Sequence, residues 1–250
     1  MLDIKKIAEN KPHLKETLGF YEKVAEFIKT VSNINTSPIG LEDKAYPLEL
    51  INPVFDSFTS IFDVPEDILV PLKEAMRLNQ IDFTRLPLNE IPSFSLPYHE
   101  DELRMILFII SKPYFIFLKK SYNLNNISWQ EGRCPICHSQ PVMASINKDG
   151  QRQLHCSFCG TVGYYKRIGC PVCLNDDTSK INIILIDGEE DFRIDTCDNC
   201  FSYIKTFQIR LLSNLNPDLA DIVSLPLDVI SQSKGYRRLS PNPIGMIRMT

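Results

Sequence analysis

The sequence predicts an α+β fold in which an N-terminal all-helical domain precedes two cysteine-rich β modules and a C-terminal helix. Apolar residues recur at helical spacing through the first half of the chain, all eight cysteines lie in CxxC pairs, and β-prone runs separate these pairs. The expected segments are a helical domain at 1–128, a first four-cysteine module at 129–169, a second at 170–210, and a C-terminal helix and tail at 211–250.

Helical spacing organises the N-terminal domain. Pro12 stands where a first helical turn tolerates proline, and one buried helix face is expected to follow it: Leu14, Leu18, Tyr21, Ala25 and Ile28. Further helices are expected over 53–61 and from about 63 to 79, followed by an extended connection over 81–97. Acidic residues at 100–102 open a strongly apolar helix, which Pro113 should kink or split.

The cysteine region contains an internal repeat. GRCPICHSQP at 132–141 resembles IGCPVCLNDD at 168–177, and LHCSFCGTVGYYKRI at 154–168 resembles DTCDNCFSYIKTFQI at 195–209. Short β-prone runs at 142–146 and 181–186 lead into turn signals at 148–150 and 187–189. Each CxxC turn, called a knuckle below, brings two sulfurs together, and two knuckles supply the four ligands of a tetrahedral ion. The region is therefore expected to form tandem zinc-ribbon or rubredoxin-like modules.

Each module is expected to bind one metal ion through four cysteines. The repeat favours sequential pairing, with a first site of Cys134, Cys137, Cys156 and Cys159 and a second site of Cys170, Cys173, Cys197 and Cys200. An interleaved pairing is the geometric alternative. Four sulfurs suit zinc, which would be structural, or a single iron, which would permit electron transfer. His138 and His155 adjoin knuckle cysteines and are weaker ligand candidates.

The C-terminal segment carries the start and stop signals of a helix. Asn216, Pro217 and Asp218 suit the N-cap and the first two helical positions. Pro226 is expected to divide the helix, and Gly235 stands at its expected end. The remaining tail is expected to be irregular.

Composition and charge exclude several classes of function. The net charge is −4, and residues 129–210 carry −1, so no segment is basic enough to resemble a nucleic-acid footprint, and only a local basic patch would allow such binding. The N-terminus lacks the apolar core of a signal peptide, and the apolar run at 105–118 is too short to span a bilayer, so a cytoplasmic location is expected. The sequence shows no phosphate loop, nucleophile elbow or metalloprotease motif.

The order and context of the knuckles resemble those of the formate dehydrogenase accessory protein family, FdhE. The resemblance covers about 129–243 and rests on GRCPICHSQP, on Leu-His-Cys at 154–156, on Arg167 before the third knuckle, and on Tyr203 and Lys205 after the fourth. DLADIVSLPLD at 218–228 and GYRR at 235–238 resemble the C-terminal signature of the family, and Lys112-Pro113-Tyr114 is similar to a segment of its helical half. His138 and Phe201 stand where the family pattern has glycine, and Gly163-Tyr164 replaces a tryptophan context, which puts the local turn geometry in question.

The resemblance implies a non-catalytic assembly or activation factor. Such a factor would bind the catalytic subunit of a molybdenum- or tungsten-dependent formate dehydrogenase in the cytoplasm, and would carry two ions of zinc or iron. Two alternatives come from other classes of protein. A nucleic-acid-binding zinc-ribbon regulator is disfavoured by the charge of the modules, and a rubredoxin-like electron carrier leaves the large helical half without a purpose.

Overall fold

A computed structural model describes residues 4–34, 40, 45–88, 90, 96–122, 127–208, 210 and 215–249. Within these residues, five α-helices precede the sheet: α1 (Ile4–Asn10), α2 (Lys15–Ser32), α3 (Leu48–Phe62), α4 (Glu66–Arg77) and α5 (Glu100–Lys120). Six strands follow: β1 (Met143–Ile146), β2 (Arg152–His155), β3 (Val162–Tyr165), β4 (Ile181–Ile184), β5 (Phe192–Cys197) and β6 (Ser202–Gln208). In the described residues after the sheet lie two helices: α6 (Pro217–Val223) and α7 (Leu225–Ser233). Short 3₁₀ helices cover Pro12–Leu14, Phe83–Leu88 and Thr178–Lys180. The α+β class expected from the sequence is confirmed.

The face of α2 that packs into the core is partly the expected one. Leu14, Leu18 and Tyr21 are buried, as predicted. Further along the helix Val24, Phe27 and Val31 are the buried residues, whereas Ala25 and Ile28 are only partly buried. The prediction was wrong there because both registers satisfy helical spacing, and only packing against α3 and α5 decides between them.

Two predictions based on proline, the start of α3 and a break in α5, were wrong. The helix expected over 53–61 begins at Leu48, because burial of Leu50 and Ile51 outweighs the backbone hydrogen bond that Pro53 cannot donate. Pro113 does not split α5, which runs unbroken from Glu100 to Lys120. The buried surroundings of Pro113 hold the helix together across the missing bond.

The connection expected over 81–97 is not wholly extended. Residues 83–88 form a 3₁₀ helix that buries Phe83 and Leu86, and the ring of Phe83 packs 5.4 Å from that of Tyr114. Residues 89 and 91–95, with Pro92 among them, lie outside the described residues. Residues 123–126 also lie outside the described residues. The short helix α1 was not foreseen from the sequence.

The two modules share one six-stranded sheet with the order β3-β2-β1-β6-β5-β4. Within each module neighbouring strands run antiparallel, and the modules are joined by a parallel pairing of β1 with β6 in the register Met143↔Lys205. The modules also touch through backbone at Gly132. A Cβ at this position would lie 1.9 Å from the carbonyl oxygen of Pro171, so only glycine fits there.

The C-terminal helices begin as expected. The Asn216 side chain accepts a hydrogen bond from the backbone N–H of Leu219 at 2.7 Å, which caps α6, and Pro217 occupies the first position. The division falls at Ser224, with Pro226 in the first turn of α7, where its missing N–H costs nothing. Gly235 follows the end of α7 with φ 86°.

One continuous set of buried residues links the helical half to the sheet. It includes Phe108 and Phe115 on α5, Phe158 in the second knuckle, and Leu219 on α6. Among the described residues no helix is both long and apolar enough to cross a lipid bilayer.

Candidate metal centres

All four knuckles share one backbone geometry. The residue after the second cysteine of each knuckle has a positive φ: 61° at His138, 66° at Gly160, 60° at Leu174 and 52° at Phe201. Glycine adopts this left-handed conformation at no steric cost, whereas other residues are strained in it. His138 and Phe201 therefore keep the turn that the family pattern makes with glycine, and the question raised by these departures is resolved in favour of an intact turn.

Backbone hydrogen bonds close the knuckles around their first cysteine. The N–H of Cys134 donates to the carbonyl of Ser139 at 2.9 Å, and the N–H of Cys156 donates to that of Thr161 at 3.0 Å. In the second module the N–H of Cys170 donates to the carbonyl of Asn175 at 2.9 Å. These backbone hydrogen bonds hold the turn from which the cysteine side chains project.

The first cluster of sulfurs brings together Cys134, Cys137, Cys156 and Cys159, whose Sγ atoms all lie within 4.8 Å of one another. The Sγ atoms of Cys134 and Cys159 are 3.5 Å apart, and those of Cys137 and Cys156 are 3.4 Å apart. All four side chains are buried.

The second cluster brings together Cys170, Cys173, Cys197 and Cys200, again within 4.8 Å. The Sγ atoms of Cys170 and Cys200 are 3.7 Å apart, as are those of Cys173 and Cys197. Cys170 and Cys197 are buried, whereas Cys173 and Cys200 are half-buried. The structure thus groups the sulfurs sequentially and does not interleave them.

The spacing of the sulfurs fits a tetrahedral metal. Four sulfurs at about 2.3 Å from a central zinc lie about 3.8 Å from one another, close to the separations in both clusters. Zinc and a single iron both accept this donor set. In a closed cluster of four cysteines every coordination position is occupied by the protein, which is the pattern of a structural site and not of a catalytic one.

Burial and hydrogen bonds between sulfurs shift the pKa values of two cysteines of the first cluster in opposite directions. Burial raises the pKa of Cys137 well above its usual value. Burial acts in the same direction on Cys156, but hydrogen bonds from Cys134, Cys137, Cys159 and the Ser139 hydroxyl outweigh it and place the pKa of Cys156 well below the usual value. A metal ion bound at the cluster would supply the positive charge that stabilises buried thiolates.

Hydroxyl groups lie beside sulfurs in both clusters. The Oγ of Ser139 is 2.9 Å from the Sγ of Cys156, and the Oγ1 of Thr161 is 3.0 Å from the Sγ of Cys159. In the second module Ser202 takes the same place, with its Oγ 3.0 Å from the Sγ of Cys200. Hydroxyl donors of this kind stabilise thiolate charge and orient the ligand.

The two histidines beside the knuckles lie outside both clusters of sulfurs. His138 is exposed and occupies the left-handed turn position. The Nε2 of His155 is 2.8 Å from the hydroxyl of Ser145, and its ring packs 5.4 Å from that of Phe207. Burial lowers the pKa of His155 to about 4, so its ring is neutral at physiological pH.

The aromatic residues of the first module form core more than surface. Trp129 is fully buried and Tyr165 is nearly so, whereas Tyr164 is exposed. Gly163 makes room for the indole, because a Cβ at Gly163 would lie 2.5 Å from the Cδ1 of Trp129. This contact accounts for glycine at a position where the family pattern has a tryptophan context.

Sequence reasoning missed a buried ionic cluster behind the second module. It joins β6, α6, α7 and the tail through Lys205, Asp221, Asp228 and Arg238. The signal in the sequence was that all four residues belong to segments that resemble the family: Lys205 follows the fourth knuckle, and the other three fall at 218–228 and 235–238. Their charges gave no indication of burial.

Comparison with protein families matches most of the chain beyond α5. The family model "FdhE, central domain" matches residues 133–167, and "FdhE, C-terminal domain" matches residues 168–244. Both four-cysteine clusters lie within the matched residues.

Curated relatives carry the same family description. The chain is 30% identical over 150 residues to "Protein FdhE homolog" of Aquifex aeolicus (strain VF5), which covers 58% of the chain and 53% of the relative. It is 33% identical over 115 residues to the homolog of Proteus mirabilis (strain HI4320), and this match covers 44% of the chain and 37% of the relative. It is 30% identical over 118 residues to "Protein FdhE" of Escherichia coli O1:K1 / APEC, covering 46% and 38%. The chain thus spans about half or less of the length of these relatives.

A solved structure extends the likeness to the helical half. The chain superposes on the crystal structure of the FdhE protein from Pseudomonas aeruginosa with a TM-score of 0.70, covering 96% of this chain and 92% of that one. At 19% identity this likeness concerns the fold alone.

Proposed function

Since the chain belongs to the FdhE family, we propose that it is a non-catalytic assembly or activation factor for a molybdenum- or tungsten-dependent formate dehydrogenase. In this role it binds the catalytic subunit of the dehydrogenase in the cytoplasm. The observation that carries the proposal is the joint match of both FdhE domain models across the two modules and the C-terminal segment.

The geometry of the metal centres supports a role without turnover. Each cluster fills a tetrahedral shell with four protein sulfurs, which leaves no open position for a substrate. We propose the eight clustered cysteines as the ligands of two ions. Zinc would contribute folding free energy, and iron would in addition provide a one-electron redox centre.

The architecture supports a partner-binding scaffold. The buried ionic cluster, the parallel β1–β6 pairing and the packing of α5 on the first module fix the modules relative to the helices. Rigid elements of this kind present a surface to a partner at little entropic cost. We also propose that the chain is divided into a helical domain, two four-cysteine modules and a C-terminal segment.

The test is an anaerobic affinity purification of the tagged chain from its own cell extract, treated with nuclease, with mass spectrometry of the retained proteins. Recovery of a formate dehydrogenase catalytic subunit is the expected result. A titration of the two purified proteins, with the catalytic subunit of an unrelated molybdenum enzyme as control, then tests whether the contact is direct and selective. Recovery of RNA polymerase subunits without a dehydrogenase would contradict the proposal and favour a zinc-ribbon regulator.

A further inference from the structure

The internal repeat allows the same knuckle to be compared in two environments. Cys156-Ser157-Phe158-Cys159 in the first module corresponds to Cys197-Asp198-Asn199-Cys200 in the second. Both turns are followed by a residue with positive φ, Gly160 and Phe201, and Thr161 and Ser202 place a hydroxyl beside the corresponding second cysteine. The two copies therefore differ in their surroundings and not in their local shape.

Helix α5 covers the knuckle of the first module. The ring of Phe158 packs edge-on against Phe108 and Phe115, with ring centroids 4.9 and 5.1 Å apart. The Nζ of Lys112 donates to the carbonyl of Ser157 at 2.9 Å, and the Nζ of Lys119 donates to that of Gly160 at 2.8 Å. As a result Cys159 is 2% exposed, and Cys137 on the facing knuckle is 4% exposed.

The corresponding knuckle of the second module is open. Asn199 replaces the buried phenylalanine, its side chain is exposed, and its Nδ2 lies 3.4 Å from the Sγ of Cys173. Phe201 and Leu174, which follow the second cysteines of the two knuckles, are 56% and 47% exposed. Cys173 and Cys200 are half-buried, so both second cysteines of this module reach the surface.

We propose that the second cluster is a thiol-reactive and metal-exchangeable site, entered through Cys173 and Cys200, and that the first cluster is inert. The ligands it accepts are soft: thiophilic electrophiles that modify these sulfurs, and chelators or foreign thiolates that take the ion from them. Both processes require approach to a sulfur or to the metal, which α5 blocks in the first cluster. The proposal concerns the chemistry of the chain and holds whether or not its partner is a formate dehydrogenase.

Alkylation by iodoacetamide illustrates the chemistry. A lone pair of the cysteine sulfur forms a bond to the methylene carbon while the carbon–iodine bond breaks and iodide leaves. The product is a neutral thioether, which is a weaker ligand than a thiolate, so two such events at one site release its ion.

The experiment uses the full chain loaded with two equivalents of zinc. The protein is treated with iodoacetamide and sampled over time, the modified cysteines are identified by peptide mass spectrometry, and released zinc is measured by atomic spectrometry. We expect Cys173 and Cys200 to react at least tenfold faster than the cysteines of the first cluster, with one zinc ion released and the other retained. Equal rates in the two clusters, faster reaction of the first, release of both ions together, or failure to bind two ions would overturn the proposal.

One variant distinguishes access of the reagent to the second cluster from general destabilisation of the fold. Asn199→Ala removes the side chain that lies against the Sγ of Cys173 and is exposed, so it leaves the core intact. We expect it to accelerate alkylation of Cys173 severalfold without changing the rates in the first cluster. An equal acceleration in both clusters would show that the rates report unfolding, and would overturn the assignment of a built-in open site.

Discussion

At the scale of single residues, the buried ionic cluster is the part of the protein where loss of one charge is expected to be most destabilising. Lys205 places its Nζ 2.7 Å from a carboxylate oxygen of Asp221, and Arg238 places its Nη1 2.9 Å from one of Asp228. The Tyr203 hydroxyl also donates to Asp228 at 2.7 Å. Burial raises the pKa of Asp221, but the charges of Arg238 and Lys205 outweigh burial and hold this pKa below its usual value. Two cations and two anions thus balance in a region that excludes water.

Removal of one cation from this cluster is expected to be costly. Arg238→Met leaves two buried carboxylates with one lysine, and should lower the free energy of unfolding by about 3–5 kcal/mol. Urea unfolding followed by circular dichroism measures the change. The neighbouring Arg237 is exposed, so Arg237→Met is the matched control and should cost less than about 0.5 kcal/mol. Similar effects of the two substitutions would contradict the importance given to the buried cluster.

At the scale of elements, the contact between α5 and the first module holds the two halves together. α5 opens with Glu100, Asp101 and Glu102 and ends with two lysines, so its charges match the helix dipole at both ends. Its middle is buried despite Pro113 and carries Lys112, whose ammonium group lies over the ring of Phe108 at 4.9 Å. The helix therefore contributes both aromatic packing and a hydrogen bond to the knuckle it covers.

Truncation of the central aromatic ring tests this contact. Phe158→Ala creates a cavity between α5 and the knuckle, and should lower the free energy of unfolding by about 3–5 kcal/mol. Asn199→Ala, at the equivalent position of the second module, should cost less than about 1 kcal/mol because the side chain is exposed. Thermal unfolding of both variants with their metal content measured provides the comparison. Equal losses would mean that α5 does not support the first module.

At the scale of the whole molecule, the metal centres and the helices are expected to unfold together. The buried residues form one set that runs from α2 through α5 to the cysteines of the first cluster. Loss of the first metal removes folding free energy of order 10 kcal/mol from a region on which α5 packs. The helical half should therefore lose stability as well.

A double substitution tests both the sequential grouping of the cysteine ligands and the joint unfolding of the first cluster with the helices. Cys134→Ser combined with Cys137→Ser should reduce the bound metal from two ions to one and lower the melting temperature of the helical signal at 222 nm. Cys170→Ser combined with Cys173→Ser should also remove one ion, with a smaller effect on the helices because α5 packs on the first module. Unchanged metal content would refute the sequential grouping, and an unchanged helical transition would refute the coupling.

The sequence by itself determined the α+β class and the grouping of the eight cysteines into two sequential clusters. These features are local: a CxxC knuckle, a turn signal or an N-cap such as Asn216 acts within a few residues, and the repeat shows each of them twice. The resemblance to the FdhE family rested on the same short segments, and the family comparisons confirm it.

Only the tertiary structure decided which residues are buried and what covers each site. Pro53 and Pro113 remain inside helices because their neighbours are buried, and Lys205 and Arg238 lie in the interior because two aspartates on α6 and α7 meet them. The parallel pairing of β1 with β6, and the placement of α5 over one cluster of sulfurs only, depend on contacts between residues far apart in the chain. Local propensity carries no information on such contacts, because their free energy arises from burial that no single segment achieves alone.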